Sequence, residues 1–290
     1  MYESFYGMRE KPFAMAPDPQ FLYFGGDHRS ALAVLEYGLI NRAGIVVVTG
    51  EIGSGKTTLV RYLSGRAYPD VQIGVIANTH RAFGTLLQWV AFAFELDYRG
   101  KSGVELYQLV VDHLIAQYAV NRRCLLIADE AQNLDRDMLE ELRVLSNVNG
   151  GKDQLLQLVL VGQPELRSLL RQPGLEQFAQ RVSAGFHLSA LTAAQTTEYI
   201  RHRLTVAGGD AELFAPRACE LVAYYSRGIP RLINTLCDTA LVYGFAEQAA
   251  CIGAELVREV ARDKAHVGIV PLRAEGAELE TTLDVAAARE

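Results

Sequence analysis

The stretch that decides the fold is IVVVT (residues 45–49) running into GEIGSGKTT (residues 50–58). Five β-favouring residues lead into a segment with three glycines in six positions, a composition that suits a turn and not a helix interior. Gly50, Gly55, Lys56 and Thr57 fit G-x-x-x-x-G-K-[ST], the phosphate-binding loop. A polyphosphate needs many donors converging on a small volume. Glycines let the backbone turn tightly, so that successive N–H groups point into one concave nest. A helix starting near Lys56 adds its unpaired N-terminal N–H groups and the positive end of its dipole. The candidate nucleotide-binding set is therefore Gly50, Glu51, Ile52, Gly53, Ser54, Gly55, Lys56, Thr57 and Thr58. Lys56 reaches the β- and γ-phosphates, and the Thr57 hydroxyl is a ligand for Mg²⁺. The plain alternative is a glycine-rich turn that binds nothing. Four fixed positions match by chance in such a chain roughly once in a hundred, and a strand before and a helical TTLVRYLSG after make that rarer still. The expected ligands are ATP and Mg²⁺.

Outward from this stretch, apolar runs and helical patterns alternate. IVVVT (45–49), VQIGVIA (71–77), CLLIAD (124–129) and LQLVLVG (156–162) are short and continuous, as strands of a parallel sheet covered on both faces read. Between them lie GTLLQWVAFAFEL, VELYQLVVDHLIAQYAV and RDMLEELRVLSNV, with helical spacing. The alternation predicts a doubly wound α/β domain. Asp27 is placed to cap a helix that runs to about Asn41 and ends at Gly44. Residues 1–26 are aromatic and proline-rich and read as extended. Near residue 190 the pattern changes to helices alone, with glycine or proline at their ends. The expected domains are 1–190, carrying the N-terminal segment and the nucleotide site; 191–265, a helical domain; and 266–290, a loose tail.

A second constellation completes the chemistry. CLLIADEAQNL delivers Asp129 and Glu130 at the C-terminal end of a strand, where open α/β sheets bind ligands. Asp129 suits a carboxylate holding Mg²⁺, and Glu130 is placed to polarise the water that attacks the γ-phosphate. Alone the acidic pair would be a solvated turn; about seventy residues after a phosphate loop it points to hydrolysis. Asn78 and Gln163 follow the second and fourth runs, and either one orients water, senses the γ-phosphate or serves only as a turn residue. Function is favoured for Gln163, and Asn78 is left open. Arg181 sits between a short helix and a fifth strand, and Arg231 begins a helix of the second domain. By themselves both are ordinary solvated charges.

The bulk numbers narrow the remaining choices. Half of the 290 residues are hydrophobic and 21% are charged, ordinary globular composition. A net charge of −6 gives no overall basic footprint, so a nucleic-acid partner is not expected. Cys124, Cys219, Cys237 and Cys251 are widely spaced in apolar surroundings, without C-x-x-C, and read as small buried hydrophobes. MYESFYGMREKPF has no apolar signal region and WVAFAF is far short of a bilayer span, so a cytoplasmic chain without direct membrane insertion is expected.

The order of phosphate loop, ADEAQ, LVGQPEL, QRV…FHLSALT and GIPRLIN resembles the AAA+ ATPases. More narrowly, with MYESFYGMREKPFAMAPDPQFLY and HRSALAVLEYGL ahead of the loop, it resembles the secretion-pathway protein A group, over roughly residues 1–265. The resemblance implies a five-stranded parallel sheet with a helical lid. It also implies Gln163 as the sensor of the γ-phosphate, Arg181 as an arginine finger and Arg231 as a second sensor. Further implied are a hexamer-like ring of identical subunits and an inner-membrane component of secretion or polysaccharide export as partner, with peripheral placement at that membrane. Longer members continue through a membrane segment into a peptidoglycan-binding region. The present sequence carries neither, so wall binding is not expected. This short form resembles the ATPases of exopolysaccharide and exosortase loci or of mannose-sensitive pilus assembly. Two other readings stand beside this one: a nucleic-acid ATPase similar to transposition regulators, and a nucleotide-switched scaffold without turnover.

Overall fold

A computed structural model describes residues 1–41, 44–66, 68–77, 84–150 and 153–274. These divide into two compact units, one within residues 26–51 and 59–188 and the other within residues 1–25, 52–58 and 189–274.

The first unit opens with helix α1 (Gly26–Ile40), in which Asp27 lies in the first turn and not at the cap position expected of it. The chain then alternates through β1 (Ile45–Gly50), α2 (Lys56–Gly65), β2 (Val71–Ile76), α3 (Leu86–Ala93), α4 (Gly103–Ala119) and β3 (Arg123–Ala128). After α5 (Arg136–Leu145) come two short strands paired antiparallel, β4 (Asn149–Gly150) with β5 (Asp153–Gln154), and then β6 (Leu156–Gly162). The short helices α6 (Glu165–Leu170) and α7 (Glu176–Ala179) lead to β7 (Val182–Leu188). The large sheet has the order β2-β3-β6-β1-β7 with every pair parallel, the five-stranded architecture expected. All residues of β1 and β6 are buried, whereas the edge strands β2 and β7 are buried only in part. Position in the sheet explains this: inner strands are covered on both faces and paired on both sides. Capping boxes start two helices of this unit, Thr85 with Gln88 on α3 and Ser102 with Glu105 on α4.

The second unit is built on α8 (Ala193–Val206), α9 (Pro216–Ser226), α10 (Pro230–Ala246) and α11 (Ala254–Val267). Its core includes the N-terminal segment, which the linear division assigned to the nucleotide domain. Tyr2 and Phe13 are 2% and 1% exposed, among Leu213, Phe214, Tyr225 and Leu241. The Tyr2 hydroxyl donates to Asp238 Oδ1 at 2.5 Å, and the Arg9 N–H to the carbonyl of Ala207 at 2.8 Å. Burial of aromatic surface explains the placement, because these rings complete a core that four helices leave open. The segment is non-helical except for a single 3₁₀ turn, Pro19–Phe21, capped by Asp18.

Two further expectations change. Cys124, Cys219 and Cys237 are buried, but Cys251 is exposed, because it lies in the turn between α10 and α11. The tail does not begin at 266: α11 continues to Val267, and Arg273 donates its N–H to the carbonyl of Tyr225 while its guanidinium lies 4.4 Å from the Tyr224 ring centre. Residues 275–290 lie outside the described residues.

Candidate functional site

Register aligns the strand ends of the sheet. Thr49 pairs with Gly162 and Ala128 with Leu160, so the residues that follow β3 and β6 emerge together beside the end of β1. Asp129, 4% exposed, prolongs the pairing by donating its N–H to the carbonyl of Ile76 at 2.8 Å. Glu130 then takes a left-handed conformation, φ +53°, uncommon for a residue with a Cβ and costing about 1 kcal/mol. A 3₁₀ turn over Ala131–Asn133 follows. The result is a compact acid–amide cluster. The Glu130 N–H bonds Asp129 Oδ1 at 2.9 Å. Glu130 Oε2 accepts from Gln132 Nε2 at 2.5 Å and from Gln163 Nε2 at 3.2 Å. Asp129, Glu130 and Gln163 are thus brought together as the sequence suggests. Asn78 lies outside the described residues.

The glycine turn has its own geometry. Gly53 and Gly55 have φ of +81° and +96°, a conformation open to glycine and strained for other residues. They deliver Lys56, 5% exposed, to the first position of α2, with Thr57 next. The start of α10 sits against this turn within the second unit. The Arg231 N–H donates to the Gly53 carbonyl at 3.2 Å, and a Cβ added at Gly53 would stand 2.5 Å from Arg231 Cβ. α10 and the glycine turn therefore meet through main chain at Arg231, the residue the sequence singled out.

Arg181 is placed elsewhere. It immediately precedes β7, whose first residue pairs with Ile45 and whose last pairs with Gly50. It therefore lies at the edge of the sheet opposite Glu130 and Gln163, roughly 20 Å along a strand of this length. Its Nη1 reaches Ser146 Oγ, at the C-terminal cap of α5, at 3.5 Å.

Two residues of this region had no role assigned from sequence. Gln132 bonds both Glu130 and the main chain of Gln163. Its position in ADEAQ was visible, but its aim depends on the left-handed turn at Glu130, which no residue pattern discloses. His187 Nδ1 stands 3.0 Å from Thr49 Oγ1, next to the glycine turn in the chain. An edge-strand histidine carries no sequence signal of that neighbour.

Comparison with known proteins agrees with this geometry. A family model described as "AAA domain" matches residues 40–170. Over 247 residues, 85% of the chain, the sequence is 43% identical to the General secretion pathway protein A of Aeromonas hydrophila, of which it spans 45%. Among solved structures, the fold is similar to the Aeropyrum pernix ORC2 protein in its ADPNP–ADP complexes. That match has a TM-score of 0.66 and 20% identity, over 88% of this chain and 71% of that one. It is also similar to Cdc6p of Pyrobaculum aerophilum, with a TM-score of 0.65 and 19% identity, over 86% and 71%. At such identities these two matches speak to the fold. Strand order and sequence likeness converge: the chain has an AAA-type fold, matched by the family model over residues 40–170, and is similar to the General secretion pathway protein A over 85% of its length.

Proposed function

We propose that this protein is a Mg²⁺-dependent ATPase that drives or gates an assembly or export complex of the bacterial cell envelope. The observation that carries hydrolysis is the cluster at the ends of β3 and β6, where a carboxylate, Glu130, is held by two amides beside the buried Asp129. Backbone N–H groups of residues 50–58 and the Lys56 ammonium bind the phosphates. Thr57 and Asp129 offer hard oxygen ligands, and Mg²⁺ characteristically takes only one or two of these from a protein, with phosphates and waters filling the rest. Bound Mg²⁺ would neutralise charge on the β- and γ-phosphate oxygens. Glu130 accepts the proton of the attacking water, Gln163 orients that water or reads the γ-phosphate, and Arg231 reports the phosphate to the lid helix. Arg181, remote from Glu130 in its own chain, serves the site of a neighbouring subunit in a ring.

Two variants test the assignment. Lys56→Ala loses tight ATP binding, because nothing nearby replaces its charge; unchanged affinity sinks the site. Glu130→Gln keeps binding and loses turnover about a hundredfold or more, since an amide cannot take the proton. Parental turnover in that variant removes Glu130 as the base. The envelope pathway is supported by the likeness to the General secretion pathway protein A, although the chain spans less than half of that protein. No helix among the described residues is long and apolar enough to cross a membrane. Attachment to the inner membrane through a partner is part of the proposal. Nucleotide-dependent co-purification with an inner-membrane export component is expected. DNA-stimulated turnover that falls steeply with salt would overturn this pathway in favour of a nucleic-acid ATPase.

A further inference from the structure

All hydrogen bonds to the Glu130 carboxylate among the described residues fall on Oε2, from Gln132 and from Gln163. Gln132 is bound at its other end as well, its Oε1 accepting from the Gln163 main-chain N–H at 3.0 Å. The amide orientation follows from its partners, because an ionised carboxylate only accepts and a backbone N–H only donates. The contacts close a ring: Glu130 carboxylate, Gln132 amide, Gln163 main chain, Gln163 amide, and back to the carboxylate. Two local features build it. The left-handed Glu130 and the 3₁₀ turn after it bring Gln132 over the end of β6. Gly162 leaves the room, since a Cβ there would come within 2.8 Å of Gln132 Oε1.

From this arrangement we infer that Gln132 is a positioning residue, which fixes the base Glu130 to the end of β6 and leaves Oε1 as its proton-accepting atom. The inference rests on the hydrolytic reading above. In that reaction the water oxygen bonds the γ-phosphorus while its proton passes to Glu130 Oε1. The bond from γ-phosphorus to the bridging oxygen breaks, and its electron pair leaves on ADP. A base for this step must hold one lone pair on the water path, and a carboxylate free to rotate does so only part of the time. Gln132 removes that freedom without touching substrate. Because it hangs from the main chain of Gln163, the residue that reads the γ-phosphate and the residue that takes the proton form one rigid piece.

The test uses the whole protein and three variants, with kcat, KM, affinity for a fluorescent ATP analogue, the pH profile of kcat and the thermal midpoint as readouts. Gln132→Ala is expected to lower kcat about a hundredfold with KM and analogue affinity within twofold of the parent. Gln132→Glu keeps the size and the acceptor for the Gln163 N–H but sets a second carboxylate against Glu130. The acid limb of its kcat profile is expected to move up by about one pH unit or more. Gly162→Ala presses on Gln132 Oε1 while removing no side chain, and is expected to show a smaller loss confined to kcat. Should Gln132→Ala fail to fold, the other two carry the test. Parental kcat in Gln132→Ala, an unmoved acid limb in Gln132→Glu, or equal losses of kcat and affinity across the series would each overturn the inference. A parent that hydrolyses ATP and is silenced by Glu130→Gln, but is indifferent to all three variants, removes this inference alone. A parent without turnover removes the hydrolytic reading and the inference with it.

Discussion

Gly53 combines a backbone angle and a contact that together admit no side chain. Its φ of +81° is left-handed, its carbonyl receives the Arg231 N–H, and the space of a Cβ is filled by Arg231. In Gly53→Ala the backbone penalty alone is about 1 kcal/mol. The overlap must then push the start of α10 off the loop or bend the loop itself. The expected outcome is a lower thermal midpoint together with weaker nucleotide binding, read by calorimetry and by analogue titration. A variant with parental midpoint and affinity would show that the loop does not need this contact. Gly53 and Glu130 illustrate one rule: unusual backbone is kept where a group must be aimed, with glycine where no side chain fits and strain where a carboxylate is needed.

At the scale of elements, α8 shows how the N-terminal segment is fastened. Arg203, 6% exposed, lies 4.7 Å from the Phe21 ring centre and donates to the Tyr199 hydroxyl, which in turn donates to Asn234 on α10. His202, one residue earlier, has its imidazole held below the usual histidine range, first by burial and then by the Arg203 charge, with a bond to the Leu22 backbone pulling the other way. A base whose folded value is depressed contributes stability in full above its unfolded value, near 6.5. As pH falls below that point the unfolded chain binds the proton first, so stability is lost until the folded value is passed. His113, depressed chiefly by burial, acts with the same sign. Thermal midpoints are therefore expected to fall as pH drops below about 6.5, and His202→Gln to flatten the slope. Identical slopes in parent and variant would discard His202 as a contributor. The same element marks the limit of sequence reading. β1, β3 and β6 were legible because inner strands must be apolar throughout, and the turn between β1 and α2 because glycines so spaced suit no helix interior. That the aromatic N-terminus packs among α8–α11 was not legible, since periodicity reports that a face is apolar and never which face it meets. Gln132 was hidden for a related reason, its direction being set by one dihedral angle.

Over the whole molecule, the position of Arg181 makes an assembly prediction. In its own chain it stands at the sheet edge away from Glu130, so any action on a phosphate must be on another subunit's, in a head-to-tail ring. Arginine fingers raise turnover about a thousandfold or more. Arg181→Ala and Glu130→Gln proteins, each inactive alone, are expected to regain activity when mixed, because some interfaces pair an intact base with an intact finger. A dead mixture in which mixed oligomers demonstrably form would rule out action in trans. The grouping of the chain has one more consequence, and it concerns synthesis. Tyr2 leaves the ribosome well before its partner Asp238, which follows 236 residues later. At ordinary rates of about 5–20 residues per second, that interval lasts roughly ten to fifty seconds. Until α10 emerges, Tyr2 and Phe13 lack part of the core that buries them, so their docking waits on chain made much later. The aromatic segment is thus made long before the helices that bury it, and it is a stretch a chaperone would have to guard.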